Sequence, residues 1–376
     1  MSVSRRRLII GAGVTTLALA GGVGGWRVTR LPRTATAPWV LDSTPPTDVR
    51  LDAFRHAILA PNPHNRQPWL IRLEGSDGAL ISCDLERRLP ETDPFDRQIT
   101  IGFGTFLELA RIAAAERGVR MEIIPFPDGE PQPRLDTRPV ARLRFIPDAA
   151  TPRDPLFAAI TKRRTTREPY DLAHTVPDHI ARQISDGGYT TDTRRIAAIR
   201  AITMAGIKTE QMTPRTNMES VRLMRIGHDQ VDANPDGISL TGPLMEALKL
   251  AGQLDHQALG DPTSSSFQTG IDMMQDIYGS IPAAVWIITP GNSRLDQLEA
   301  GRRHVRANLR ATMLGVAMHP LSQSLQEYHE VAGLFKNIHD VLGAKLSERV
   351  QMLVRIGYGP QVEPAPRWPM ESRLRA

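Results

Sequence analysis

Three widely separated segments of the chain combine residue types that could hold an anionic, aromatic ligand. The first is APNPHNRQPW at residues 60–69. Its three prolines restrict φ and remove backbone donors, which stiffens the loop. Asn65 and Gln67 carry amides that both donate and accept, as recognition of the edge of a flat heterocycle requires. Taken alone, the segment also suits an ordinary proline-rich turn.

The other two segments contribute arginine. RRTTR at residues 163–167 provides guanidinium groups that match phosphate oxygens bidentately, with threonine hydroxyls as further donors. Arg367 lies between prolines near the C-terminus, after the GYG of residues 357–359. On composition alone, residues 163–167 could equally be a solvated helix end, and Arg367 could equally be a structural residue.

Other chemistries find little support in the sequence. Cys83 is the only cysteine, so neither an intrachain disulfide nor a cysteine-rich metal site can form. The histidines show no His-Glu-x-x-His pattern, and neither a Gly-x-Ser-x-Gly elbow nor a Walker loop is present. Without the six arginines of residues 1–41, the remainder holds 40 basic and 41 acidic residues. We therefore predict no metal ion and no nucleic-acid partner.

The N-terminal residues 1–41 are predicted to be a leader. SRRRLI at residues 4–9 resembles the twin-arginine export consensus, and a glycine-softened apolar stretch, Leu8–Trp26, follows it. The 19 residues of that stretch could instead form a plain membrane anchor. LIIGAG could also open a dinucleotide-binding fold, but the third glycine is absent and the first acidic residue is Asp42.

This leader interpretation implies a location and partners. We expect a protein that is exported, periplasmic or membrane-anchored and facing outward. It would contact the twin-arginine translocation machinery, and it would touch the membrane only through the leader. Whether the leader is cleaved stays open.

The elements that must position the three segments mix helical and strand patterns without strict alternation, which predicts an α+β fold. The clearest helices are expected over residues 51–60, 104–118, 154–164 and 298–315. Residues 104–121 can be laid on residues 301–318 without gaps, and six of the 18 positions are identical. This weak repeat suggests two related halves that meet near residue 160.

Together the segments resemble the nitroreductase-like FMN superfamily, which has a Pro-Ser-x-x-Asn-x-Gln-Pro-Trp loop, an Arg-Arg-Ser-x-Arg/Lys segment and a tail arginine. Asn62 and Thr165 replace the two family serines here. In ordinary members the arginine segment precedes the loop, whereas here it follows it. The order resembles that of the Acg-like subfamily of fused pairs. It implies half one at residues 42–160 and half two at residues 161–376. The two halves would pair within one chain as an intrachain pseudo-dimer, so the protein could be a monomer.

The resemblance implies an FMN site with defined roles. Arg163, Arg167 and Arg367 would neutralise the phosphate, and Asn65 would hold the pyrimidine edge of the flavin. A loop that follows a helix, residues 320–323, corresponds to the family's flavin-contacting loop, with Ser322 and Gln323 near N5. The predicted cofactor-binding residues are Pro61, Asn62, Pro63, Asn65, Gln67, Arg163, Arg164, Thr165, Arg167, Ser322, Gln323 and Arg367.

The implied function is an FMN-dependent oxidoreductase that reduces nitro compounds, quinones or other small organic electron acceptors. No catalytic side chain is expected, because the flavin would carry the chemistry. One alternative is a non-catalytic protein that sequesters FMN beneath a closed lid at residues 229–270. Another is a scaffold without flavin. The electron donor is open, since NAD(P)H is scarce outside the membrane.

Overall fold

Residues 31–376, as a computed structural model describes them, fold into helices packed on antiparallel sheets. The export motif and apolar stretch predicted for residues 4–26 lie outside the described residues. The helices are α1 Arg33–Thr36, α2 Val49–Ala57, α3 Arg97–Glu116, α4 Asp178–Ile184, α5 Thr193–Met212, α6 Pro214–Leu223, α7 Gly227–Ala233, α8 Pro243–Leu250, α9 His256–Gly260, α10 Ser265–Gly279, α11 Arg294–Met313 and α12 Ala332–Leu342. Within residues 31–376, no helix is long and apolar enough to cross a membrane.

The strands form two main sheets and a small pair. The strands are β1 Trp69–Glu74, β2 Gly78–Cys83, β3 Val119–Pro125, β4 Ala141–Pro147, β5 Gly188–Thr190, β6 Met224–Ile226, β7 Ile238–Leu240, β8 Ala283–Thr289, β9 Ala317–Pro320, β10 Arg349–Gly357 and β11 Leu374–Arg375. The larger sheet has the order β11-β1-β2-β4-β3 and the second has the order β5-β8-β10-β9. All of their pairs are antiparallel except β11 with β1. The α+β prediction is confirmed.

The two sheets repeat one topology. In the larger sheet, β2 leads through α3 to the edge strand β3, and β4 then returns between β2 and β3. In the second sheet, β8 leads through α11 to the edge strand β9, and β10 returns between β8 and β9. The segments aligned in the sequence, residues 104–121 and 301–318, occupy equivalent places in these units. Two fused halves account for this arrangement.

Helices α3 and α11 cross where the aligned glycines meet. A Cβ built on Gly104 would lie 2.9 Å from Gly301 Cα, and one built on Gly301 would lie 2.8 Å from Gly104 Cα. The missing side chains therefore allow the two backbones to approach closely. Leu298, Val305 and Leu309 of α11 extend into the hydrophobic core of the larger sheet, so the halves share a core.

The C-terminal tail pairs with half one, and the helix expected over residues 154–164 does not form. Strand β11 returns from the C-terminus to pair with β1 of half one. The helix expected over residues 154–164 is only a 3₁₀ turn at Pro155–Ala159, followed by a loop that contains the arginine segment. The chain leaves the helical path because Arg163 turns into the interior between the halves.

The folded body begins before residue 41, where the leader was expected to end. Helix α1 and the following 3₁₀ turn, Ala37–Trp39, pack on the body, and the Trp39 side chain is buried. Between β5 and β8, half two carries a long helical insertion, α5–α10. The lid predicted at residues 229–270 falls within this insertion.

Candidate functional site

The loop of residues 60–67 is strained. His64, Asn65 and Gln67 have φ values of 46°, 51° and 50°, in the left-handed region that side chains disfavour. Asn62 holds the loop closed: its Oδ1 accepts from Gln67 N at 2.7 Å, and its Nδ2 donates to Ala60 O at 3.1 Å. Such strain costs roughly 1–3 kcal/mol per residue and tends to mark functional sites.

The C-terminal tail fixes the same loop from half two. Asn65 Nδ2 donates to Pro366 O at 2.9 Å, and Asn65 Oδ1 accepts from Arg367 Nη1 at 2.7 Å. Gln67 is fully buried, and its Oε1 accepts from Trp368 N at 2.9 Å. The two predicted amides therefore serve the protein's own framework, and their predicted contacts with a flavin edge stay predictions.

Two predicted phosphate arginines meet at the junction of the halves. Arg163 donates from Nη2 to Leu59 O at 2.7 Å and from Nη1 to Asn308 Oδ1 at 3.2 Å. Arg367 donates from Nη2 to the carbonyls of Leu59 and Ala60, both at 3.1 Å. The junction thus gathers residues that are 308 positions apart in the chain.

These arginines carry charge that the described residues do not neutralise. Within residues 31–376, Arg163 and Arg367 donate only to carbonyl, amide and hydroxyl oxygens, and the Nε of each is buried without a partner. Burial, then the neighbouring Arg164, lowers the pKa of Arg163 to about 9. Burial, then Arg163, lowers the pKa of Arg367 well below its usual value. Both pKa values would recover if an anion entered.

Arg167 lies apart from this cluster. Its side chain is exposed, and its charge helps to lower the pKa of both His64 and His319, so these three side chains lie near one another. We call their common surroundings the recess. Burial, followed by Arg66 and Arg167, lowers the pKa of His64 to about 4. His319 Nδ1 accepts from Arg355 Nε at 3.0 Å, which leaves the proton of the neutral ring on Nε2. The recess therefore places the Arg167 cation beside two neutral imidazoles, with Arg66 and Arg355 close to them.

Ser322 and Gln323 lie on the His319 side of the site. Tyr278 donates its hydroxyl proton to Gln323 Oε1, and the Tyr278 ring meets His319 edge-on at 6.1 Å. Gln323 also hydrogen-bonds Glu210, whose pKa burial raises to about 7. The link from Gln323 to the recess is therefore indirect, through Tyr278 and His319.

The predicted lid rests directly on the strained loop. Gln67 Nε2 donates to Pro235 O at 2.7 Å, and Gly237 N donates to Asn65 O at 3.3 Å. Arg167 Nη2 lies 3.5 Å from Ser239 O. Residues 235–239 therefore contact both the loop and Arg167.

Several residues near the site were missed in the sequence. Asn308 and His319 carry no motif that marks them, and His64 lies inside the first motif but was not singled out as a ligand contact. Trp39 was assigned to the leader, although its ring packs against the arginine cluster. Within the described residues, no group of three or more histidine, cysteine, aspartate or glutamate side chains could hold a metal ion.

Sequence comparisons relate the chain to nitroreductases, although no known protein-family model matches it. It is 26% identical over 326 residues to the "Putative NAD(P)H nitroreductase Rv3131" of Mycobacterium tuberculosis, covering 83% of this chain and 86% of that protein. It is 28% identical over 338 residues to "Putative NAD(P)H nitroreductase acg" of the same species, covering 86% and 93%. The nitroreductase-like resemblance therefore extends well beyond the three motifs.

One solved structure covers a similar share of the chain. It belongs to a protein described as "a putative nitroreductase" from Anabaena variabilis. The match covers 87% of this chain and 91% of that chain, with 12% sequence identity and a TM-score of 0.42.

Proposed function

We propose that this chain is an FMN-binding oxidoreductase of nitroreductase type, with one flavin held between the two halves. The observation that carries the proposal is the cluster of Arg163 and Arg367, buried without a carboxylate partner among the described residues, beside a strained loop. The names of the two mycobacterial relatives support the same class of reaction.

The residues present fit an FMN phosphate. The group is close to a dianion, and each of the two buried guanidiniums keeps an unused Nε donor for it. Arg164 adds a third cation at the same place, because its guanidinium and those of Arg163 and Arg367 surround one indole ring. Burial strengthens these interactions because water no longer screens them.

The flavin ring would lie toward the strained loop and the recess. There Asn65 and the prolines of the loop would form one wall, and Arg167, Thr165, Ser322 and Gln323 are proposed as further contacts. When bound, FMN would supply the hydride or electron transfer. The chain itself would bind, orient and shield the ring, and both halves would contribute within one monomer.

The substrate class that we propose is a nitro compound, a quinone or a similar small organic electron acceptor. Purified full-length chain, incubated with FMN and freed of excess, should retain the yellow spectrum of a bound flavin. Bleaching by NAD(P)H, followed by reoxidation with such an acceptor, would support the reductase. Retained flavin that no acceptor reoxidises after dithionite reduction would contradict it.

A second candidate is a protein that holds FMN without turning it over. The contacts of Pro235 and Gly237 with the loop favour it, because they close the lid onto the site. Such a protein would bind FMN tightly and release it slowly, and no organic acceptor would reoxidise the flavin after reduction by dithionite.

We also propose that the chain is exported by the twin-arginine route. Support comes from residues 4–9 of the sequence. That route carries folded proteins, so FMN could be inserted before export. The electron donor would then be a component other than cytoplasmic NAD(P)H.

A further inference from the structure

The ring of Trp39 is surrounded by the three arginines of the phosphate cluster. Its centroid lies 5.4 Å from the guanidinium carbon of Arg163, 4.9 Å from that of Arg164 and 5.2 Å from that of Arg367. The side chain is only 7% exposed. Three cations converging on one indole is an arrangement that the electron-rich ring face stabilises.

The segment that carries Trp39 is anchored at both ends. Trp39 Nε1 donates to Ala365 O at 2.7 Å, and Arg367 N donates to Ala35 O at 2.8 Å, which ties the segment to the C-terminal tail. Ala35 N donates to Asp232 Oδ1 of helix α7 at 2.9 Å, which ties it to the lid. We call residues 33–39 the strap.

An indole suits this position for an electrostatic reason. A carboxylate would also hold the guanidiniums, but it would cancel their charge and compete with a phosphate. A ring face attracts cations without carrying net charge, so the indole itself does not neutralise the cluster before a dianion binds. The buried ring also excludes water, which strengthens the attraction between the remaining charges.

We propose that Trp39 is a positioning residue of the phosphate site, and that the strap is the cover that holds the phosphate end closed. The proposal rests on the FMN-binding function proposed above. It assigns part of the cofactor site to residues that precede both halves.

Two substitutions separate the ring's attraction for cations from its bulk. Both remove the Nε1 donor to Ala365 O, so they differ from each other only in the side chain that faces the guanidiniums. Trp39→Phe keeps an aromatic face, so FMN should dissociate within about threefold of the unsubstituted rate. Trp39→Leu keeps an apolar side chain without that face, so dissociation should be roughly tenfold faster or more. Val40→Ala, at a neighbour that is 82% exposed, is the matched control and should leave the rate unchanged.

The cover is tested at its anchor, which also serves if the leucine variant does not fold. Asp232→Ala removes the acceptor of Ala35 N without touching the ring, and it should speed FMN dissociation severalfold.

All rates are measured on full-length chain loaded with FMN, by the recovery of flavin fluorescence after dilution, and apo-protein unfolding temperatures are recorded in parallel. Equal rates in the phenylalanine and leucine variants would overturn the positioning role, since a structural role depends on bulk alone. Slower dissociation in Trp39→Leu would overturn it too, because the indole would then obstruct the phosphate position. An unchanged rate in Asp232→Ala would overturn the cover. Absence of FMN binding by the unsubstituted chain would instead refute the proposed function.

Discussion

Replacing Arg163 by alanine tests the phosphate site with the least damage to the fold. Arg163 shares its acceptor Leu59 O with Arg367, so that buried carbonyl keeps a donor in the variant. Only Asn308 Oδ1 and the weakly bonded Thr165 Oγ1 lose the donor that Arg163 provides. Burial and then the neighbouring Arg164 depress the pKa of Arg163, so removal of this cation also relieves a desolvation cost and a charge repulsion in the apo-protein.

The expected loss in FMN affinity follows from one charge-assisted hydrogen bond. Such a bond contributes about 1.5–3 kcal/mol. Because 1.4 kcal/mol corresponds to a factor of ten, we expect Arg163→Ala to weaken FMN binding by roughly 10- to 100-fold. Arg367→Ala should show a similar loss in affinity, with a larger loss in stability, because Ala60 O and Asn65 Oδ1 also lose a donor.

Titration with FMN and with riboflavin, followed by quenching of flavin fluorescence, isolates the phosphate contribution. Riboflavin lacks the phosphate, so its affinity should change little in Arg163→Ala. Arg50→Ala is the matched control. Arg50 of helix α2 is also a buried guanidinium that donates to main-chain carbonyls, Gly75 O and Gly78 O of the β1–β2 turn, but it pairs with Asp48 and lies outside the arginine cluster. Unchanged FMN affinity in both Arg163→Ala and Arg367→Ala, or an equal loss for riboflavin, would refute the assignment.

Three further predictions concern the frame, the buried acid and the leader. Gly301→Ala should lower the free energy of unfolding by roughly 1–3 kcal/mol in chemical denaturation, because the added Cβ meets the α3 backbone. Gly333→Ala, where the added Cβ meets open space, should leave it unchanged. Equal effects of the two substitutions would contradict the tight crossing. Burial raises the pKa of Glu210 from 4.5 to about 7, so the folded state holds the extra proton in that window and stability falls as pH rises through it. Glu210→Gln should therefore gain unfolding temperature relative to the unsubstituted chain from about pH 4.5 to 7, and a pH-independent difference would argue against the raised pKa. Lysine at both Arg5 and Arg6 should abolish export in cell fractionation; undiminished export would exclude the twin-arginine route.

Much of the architecture could be predicted from local patterns. The apolar run of α3, the helical pattern of residues 298–315 and the glycines that align between them indicated both central helices and suggested a duplicated frame. The 3₁₀ turn at Pro155–Ala159 was missed because Arg163 leaves the helical path for a partner 104 positions away, Leu59 O, and local periodicity contains no sign of that contact.

Some residues that gather at the candidate site could be anticipated from the sequence, but their assembly could not, and their contacts with a flavin stay predictions. Arg163 and Arg367 do meet, as the family resemblance implied, but Arg164 rather than Arg167 joins them around Trp39. Arg164 and Arg167 have the same charge and both lie within four residues of Arg163. Only the direction of their side chains in the folded loop distinguishes them. Trp39 was placed in the leader because residues 1–41 hold six arginines and no acidic residue, and the partners of Trp39 lie far away in the sequence, near residues 163 and 367.

The most direct test of the account is the number of flavins that one chain binds. Full-length protein, stripped of flavin and titrated with FMN, should reach a sharp end point at one FMN per chain, and Arg163→Ala should blur that end point by weakening affinity. An end point at two FMN per chain would mean that both of the sites that a pair of halves can form bind a flavin. No binding at any concentration would contradict the central claim that the uncompensated arginine cluster between the halves holds a flavin phosphate.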